Sequence, residues 1–212
     1  MNRRTSVLTA ISIIIIVSLI VVTYLFIRSE EPSTPSWLKL GAYLRYQQFF
    51  AWIGHNQTEM MTWNITGLQD NFADLQLISY GVRVNVSDNS VIMSVGEANW
   101  TLNVFDREIV NATDSSYVGN KCPFWIEPTA GIGSTVNSLY GETTIIRNET
   151  INVLGQQRDC WVTQQNWPTS SMTRWYDKST GIVLMIHVVL QQSGVTIDVT
   201  ETGMQTNIAF GF

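Results

Sequence analysis

Few side chains in this sequence could do acid–base, nucleophilic or metal chemistry. Its 212 residues include two histidines, His55 and His187, and two cysteines, Cys122 and Cys160. His187 stands inside the apolar run IVLMIHVVL, as a satisfied core residue or one that lines a ligand, and His55 sits in the polar turn Gly54-His-Asn-Gln57. Zinc needs more ligands than two cysteines at this spacing. No Gly-x-Ser-x-Gly elbow positions a nucleophile. Gly131-Ile-Gly133 lacks the third glycine and the following helix of a phosphate loop, and there is no spaced carboxylate pair. No catalytic residue, metal site or cofactor is therefore expected, and the chain does not read as an enzyme. In an oxidising compartment Cys122 and Cys160 could pair, closing a loop long enough to add about 3–4 kcal/mol. The alternative is two separately buried thiols.

The chemistry that is present is that of surfaces. Six Asn-x-Ser/Thr sequons occur, at Asn56, Asn64, Asn85, Asn99, Asn111 and Asn148. Each is a candidate glycan acceptor in an exported protein. Asn64 lies between Trp63 and Ile65, and Asn85 between Val84 and Val86, on what read as polar strand faces. Of the 8 tryptophans, Trp100 and Trp161 sit in clear strands and suit a core. Trp37 and Trp52 lie near the start of the domain, where contact with a lipid surface is conceivable. Trp167, in Asn166-Trp-Pro168, reads as a loop residue and is the best candidate for an exposed contact.

Those residues need a scaffold, and its first part is an anchor. Val7–Ile27 is a run of 21 residues without a charge. As a helix it spans roughly 30 Å, the thickness of a bilayer core. Arg3 and Arg4 precede it and Arg28, Glu30 and Glu31 follow; the basic excess lies on the N-terminal side, which predicts a cytoplasmic N-terminus with the rest outside. The apolar run is longer than a cleaved signal core, TYLFIRSEE offers no small-x-small cleavage site, and no cysteine follows for lipid attachment. The expected organisation is a signal-anchor over 1–28, a polar tether over 29–36 and one extracytoplasmic β-rich domain over 37–212.

Only 14% of residues are charged, where about a quarter is usual. The net charge is -5 and the basic residues are scattered singly, so no nucleic-acid footprint exists. Beyond the tether, period-two alternation recurs. It runs through Leu38-Leu40-Ala42-Leu44-Tyr46, Val82-Val84-Val86, Trp100-Leu102-Val104 and Val195-Ile197-Val199, each predicting a strand with its apolar side buried. Residues 37–53 are the most ambiguous, since their aromatics also suit a helix. Ile182–Leu190 is almost wholly apolar and predicts a strand covered on both faces. Ser87–Ser90 and Asp177–Gly181 read as hairpin loops. The fold expected is mainly β, a large curved antiparallel sheet of about eight to ten strands with one or two short helices. A half-barrel is the first form and a β-sandwich the alternative.

Two segments carry a resemblance: Lys121-Cys-Pro-Phe-Trp-Ile126, and Val153-Leu-Gly-Gln-Gln-Arg-Asp-Cys-Trp-Val162 continuing to Arg174-Trp-Tyr-Asp-Lys-Ser-Thr-Gly-Ile-Val-Leu184. Over roughly residues 115–190 they resemble archaeal membrane-anchored surface proteins. The Trp-Tyr-Asp-Lys-x-Thr-Gly hairpin also resembles that of the LolA/LolB-like lipoprotein-carrier half-barrel. The resemblance implies place and architecture and carries over no catalytic residue. Two functions are expected from these features. One is a binding module for a lipid, another hydrophobic ligand or an apolar partner segment, which requires an internal cavity. The other is a structural or adhesive glycosylated cell-surface protein with a filled core and lateral contacts. A pilin-like filament subunit fits less well, because no Gly or Ala follows the arginines at a processing point.

Overall fold

The computed structural model describes residues 34–52, 55–85, 87–127, 129–192 and 195–210. The Val7–Ile27 run lies outside them, and among the described residues no helix is long and apolar enough to cross a membrane. Residues 34–212 form one compact unit.

Alternating residues become strands in chain order: β1 Tyr43–Trp52, β2 His55–Gln69, β3 Phe72–Asn85, β4 Val91–Asn103 and β5 Ile109–Ala112, then β6 Thr135–Ser138, β7 Gly141–Val153, β8 Gln156–Trp167, β9 Ser170–Asp177, β10 Val183–Gln192 and β11 Val195–Thr206. The helical content among the described residues is one 3-10 turn, Ser115–Tyr117, capped by Asp114. All strands join one antiparallel sheet of 11 in the order β5-β4-β3-β2-β1-β11-β10-β9-β8-β7-β6. This is one open sheet, so the sandwich alternative is excluded, and the strand number exceeds the expected eight to ten. The ambiguous stretch at 37–53 is largely strand.

Five register shifts bend the sheet, at Arg45/Tyr46, Ile65/Gly67, Thr101/Leu102, Ile145/Arg147 and Val183/Met185. Each inserts a residue on one strand and adds local twist. At the β9–β10 hairpin, Asp177 is 2% exposed and its Oδ2 accepts from the amides and hydroxyls of both Ser179 and Thr180. Gly181 follows at φ 75, where a side chain would be strained. The Asp-Lys-Ser-Thr-Gly loop is thus held by one carboxylate.

The sheet's two edges, β5 and β6, are consecutive in the chain, so residues 113–134 must pass from one edge to the other. In doing so they deliver Cys122–Ile126 to the interior as an apolar plug, every residue of it buried. Phe124 stacks on Trp100 (centroids 5.8 Å) and lies 6.2 Å from Trp63; Trp125 meets Trp37 edge-on at 5.3 Å. Arg107 caps the plug's backbone, donating from Nη1 to the carbonyls of Cys122 (3.0 Å) and Trp125 (2.7 Å) and from Nη2 to that of Asn137 (3.0 Å). Trp37 is 5% exposed and donates its indole N–H to the Thr180 carbonyl, so it is a core residue rather than a lipid contact. The Trp52 side chain lies outside the described residues.

The plug concentrates burial at the lower end of the sheet, where the β2–β3 hairpin lies. Trp125→Ala should lower unfolding free energy by about 3–5 kcal/mol, measured by urea denaturation. A loss under about 1 kcal/mol would mean that the aromatic cluster is not the keystone of the core.

Candidate functional site

Antiparallel partners point to the same side of a sheet, so the register identifies the residues that share the plugged face. One row runs Ser94, Gly81, Glu59, Gln48, Glu201, Ile186, Arg174, Thr163, one residue from each of eight neighbouring strands. It lies just above Tyr46 and Met61, on the inner side of the sheet. The next row upward brings Ile92, Arg83 and Gln57 on one flank and Val199, Val188, Met172 and Gln165 on the other. The uppermost row on β8–β11 is Trp167, Ser170, Leu190 and Ile197.

This upper inner face differs from the plugged half below it. Ile186, Val188, Val199 and Met172 point inward yet are only half-buried, and Leu190 is 40% exposed. On the opposite flank β3 and β4 contribute Ser79, Gly81, Ser94 and Gly96, which fill little space. A Cβ on Gly81 would come within 2.6 Å of Ser94 Oγ, and one on Gly96 within 2.6 Å of Ser79 Oγ. The upper inner face thus has an apolar flank on β8–β11 and a small, polar flank on β1–β4.

Its polar groups are held in place. Tyr46, 0% exposed, donates to the Val183 carbonyl at 2.7 Å and accepts from Trp63 Nε1 at 3.3 Å. Burial raises its hydroxyl well above the usual range. Gln48 donates to Glu59 at 2.6 Å. Burial first, and the Glu59 carboxylate second, push Glu201 up to about 7. Arg174 is 1% exposed and makes no ion pair among the described residues. Its guanidinium lies 4.7 Å beneath the Tyr140 ring and reaches Ser138 Oγ at 3.3 Å and Gln165 Oε1 at 3.5 Å. Gln165 Nε2 donates to the Tyr140 carbonyl at 2.7 Å, so the β6–β7 turn is stitched down over the inner face. Tyr140 is 40% exposed, and burial raises its hydroxyl above the usual range.

Trp167 ends β8 rather than standing in a loop, and at 38% exposed it shares the uppermost inner row with Leu190. His187 points to the other side. It pairs with Thr200, and its Nε2 lies 2.7 Å from Asp198 Oδ1 at the surface, so it is neither core nor part of the inner face. The His55 side chain lies outside the described residues. Cys122 and Cys160 are free and buried in this structure, each pushed up to about 12 by burial, with Asp177 adding to the effect on Cys160. The sequon asparagines all lie in strands: Asn56, Asn99, Asn111 and Asn148 are exposed, and Asn64 and Asn85 are half-buried. Asn85 Oδ1 accepts from the amide and hydroxyl of Ser87, shaping the β3–β4 turn. Among the described residues no group of three or more His, Cys, Asp or Glu could hold a metal.

Sequence reasoning missed Glu201, Arg174 and Tyr140. Arg174 and Glu201 sit within alternating runs that read as ordinary strands; only a charged residue on an inward position could have marked them.

No family model matches the chain. No curated protein matches it. Solved structures similar to it over most of its length include the following two. A "putative lipoprotein" from Parabacteroides distasonis is 11% identical, with a TM-score of 0.40 over 82% of this chain and 100% of its own. The S-type phycobiliprotein lyase CPES from Guillardia theta is 10% identical, with a TM-score of 0.31 over 82% of this chain and 89% of its own.

Two outcomes follow from the titrating groups. Glu201 has a folded pKa of about 7 against an ordinary value of 4.5. Folding therefore takes up a proton between those values, and stability falls as pH rises through that window. Glu201→Gln should flatten this slope and raise stability above pH 7 by about 2 kcal/mol, allowing for partial exposure. Melting temperatures across the window for both proteins check it; parallel curves would refute it. The buried thiols should resist alkylation in the folded protein and both react after denaturation without reductant. Failure to react then would reveal a Cys122–Cys160 bond.

Proposed function

We propose that this chain is a membrane-anchored, extracytoplasmic binding module. Its upper concavity takes a small amphipathic ligand or the apolar segment of a partner. The observation that carries this reading is the inner face itself. Ile186, Val188, Val199 and Met172 stay only half-buried on the inner side of β9–β11, and the inner positions of β3 and β4 carry the small residues Ser79, Gly81, Ser94 and Gly96. A face built only as core would bury those side chains, as the plug does with the lower half. The polar groups along the same row, Gln48, Glu59 and Glu201, suit the polar end of an amphiphile. Trp167 at the mouth suits contact with its apolar end. The anchor over Val7–Ile27 supports a place at the outer surface of a membrane, close to lipids that such a site could take.

A structural or adhesive surface role is the second reading. The aromatic plug favours it, because it fills the half of the sheet where a large lipid would otherwise lie.

Native mass spectrometry of residues 34–212, after exposure to a lipid extract of the host membrane, separates the two. A stoichiometric adduct supports the binding module. Ser79→Phe, which places a ring in the concavity, should then abolish the adduct while leaving the melting temperature within a few degrees of the wild type. A clean apo mass with the wild-type chain would shift the assignment to the structural role.

A further inference from the structure

The outer face of β1–β4 is apolar at the level where the inner face is polar. Tyr80, Val82, Met93 and Val95 point outward and are 48%, 36%, 76% and 69% exposed, joined by Phe49 at 59% and Met60 at 40%. The register assembles them into adjoining rows. One is Phe49, Thr58, Val82, Met93; the next downward is Gln47, Met60, Tyr80, Val95. Val84 and Val91 extend the patch upward. None of these positions carries a charge, and β-branched and aromatic side chains gain most from being covered in just such an arrangement.

The row below is Arg45, Thr62, Ile78, Glu97, with opposite charges at its two ends. Within the chain Arg45 donates to Thr62 Oγ1 and Gln205 Oε1, and Glu97 accepts from Gln76 Nε2. Neither has an ion-pair partner among the described residues. We propose that this face is a two-fold interface with a second copy of the chain. A two-fold axis parallel to the strands, above the boundary of β2 and β3, lays β1 over β4 of the second copy. That operation sets Arg45 against Glu97, Phe49 against Met93 and Met60 against Tyr80, twice each. The face is therefore complementary to itself in charge and in shape class, as a closed two-fold contact requires.

The area is sufficient. Four strands about 4.8 Å apart and five rows about 6.8 Å apart cover roughly 650 Å² per copy, or about 1,300 Å² in all, within the range of stable interfaces. A lipid surface fits less well. The described part of this face has no lysine or tryptophan, and Asn64, Gln76 and Asn99 form the row beneath the charged one. The sequon at Asn56 shares a row with Val84 and Val91, and the sequons at Asn64 and Asn99 lie in the lowest row, so the interface requires that these asparagines carry no glycan.

Residues 34–212 hold the whole described core and suit the test by sedimentation equilibrium. The wild type should be dimeric at micromolar concentration. Met93→Lys, at a position 76% exposed, should weaken association by about tenfold or more without unfolding. Arg45→Glu should do the same, and the double swap Arg45→Glu with Glu97→Arg should restore the dimer, which a merely damaged face would not. A monomer at about 100 µM, a failed rescue, full glycan occupancy of Asn56, Asn64 or Asn99 in the native membrane, or a monomer that binds phosphatidylcholine–phosphatidylglycerol vesicles through Met93 would each overturn the proposal.

Discussion

Everything in this domain answers to one topological demand: the two strands that end the sheet are consecutive in the chain. A connection from β5 to β6 has to cross the curved face, and a backbone crossing an apolar face must satisfy its own polar groups. Arg107 meets part of that demand through two of its carbonyls, those of Cys122 and Trp125. Backbone bonds meet more of it: the Cys122 and Ile126 amides donate to the carbonyls of Arg107 and Gly181, and the Phe124 carbonyl accepts from the Val183 amide, while the Phe124 and Trp125 rings pack against Trp37, Trp63 and Trp100. Because the crossing runs low, the lower half becomes a packed core and the upper half stays open. The site is what the crossing leaves uncovered.

The strands were legible in the sequence because alternation is a local signal. Trp100, Leu102 and Val104 are buried as their pattern implies, and Ser87–Ser90 and Asp177–Gly181 do turn the chain. Sidedness was less legible. Val82 and Val84 alternate with Arg83 and Asn85, which reads as valines inward; the structure turns the valines outward and Arg83 in, where its Nε donates to Gln57. Leu40 shares the parity of Leu38 and Ala42 but is 65% exposed, because the turn before β1 intervenes. Ile182–Leu190 looked uniformly covered, yet only Ile182, Val183 and Leu184 are buried and Leu190 stands at the open end. What fails in each case is the same: period two says that a strand has two faces, not which of them the rest of the molecule covers.

The upper part of β1–β4 is a sheet turned inside out, with small and polar residues on the concave side and large apolar ones on the convex side. Such a segment is unstable as a free surface and costs solubility unless something covers it. The ligand site and the two-fold contact proposed above would therefore use opposite faces of the same four strands. This also means that substitutions there act on two properties at once, depending on the parity of the position.

The first strand of the domain and the last lie side by side in the middle of the sheet, Leu44 against Thr206 and Phe49 against Thr200. Neither half of the chain can complete its central strand until nearly all of it is available. A domain of this kind has high contact order and folds late and slowly, with long unpaired edges exposed meanwhile. During synthesis this chain therefore remains two separate meanders, β1–β5 and β6–β10, until β11 emerges, and a ribosome paused before Val195 would hold nothing that could join them.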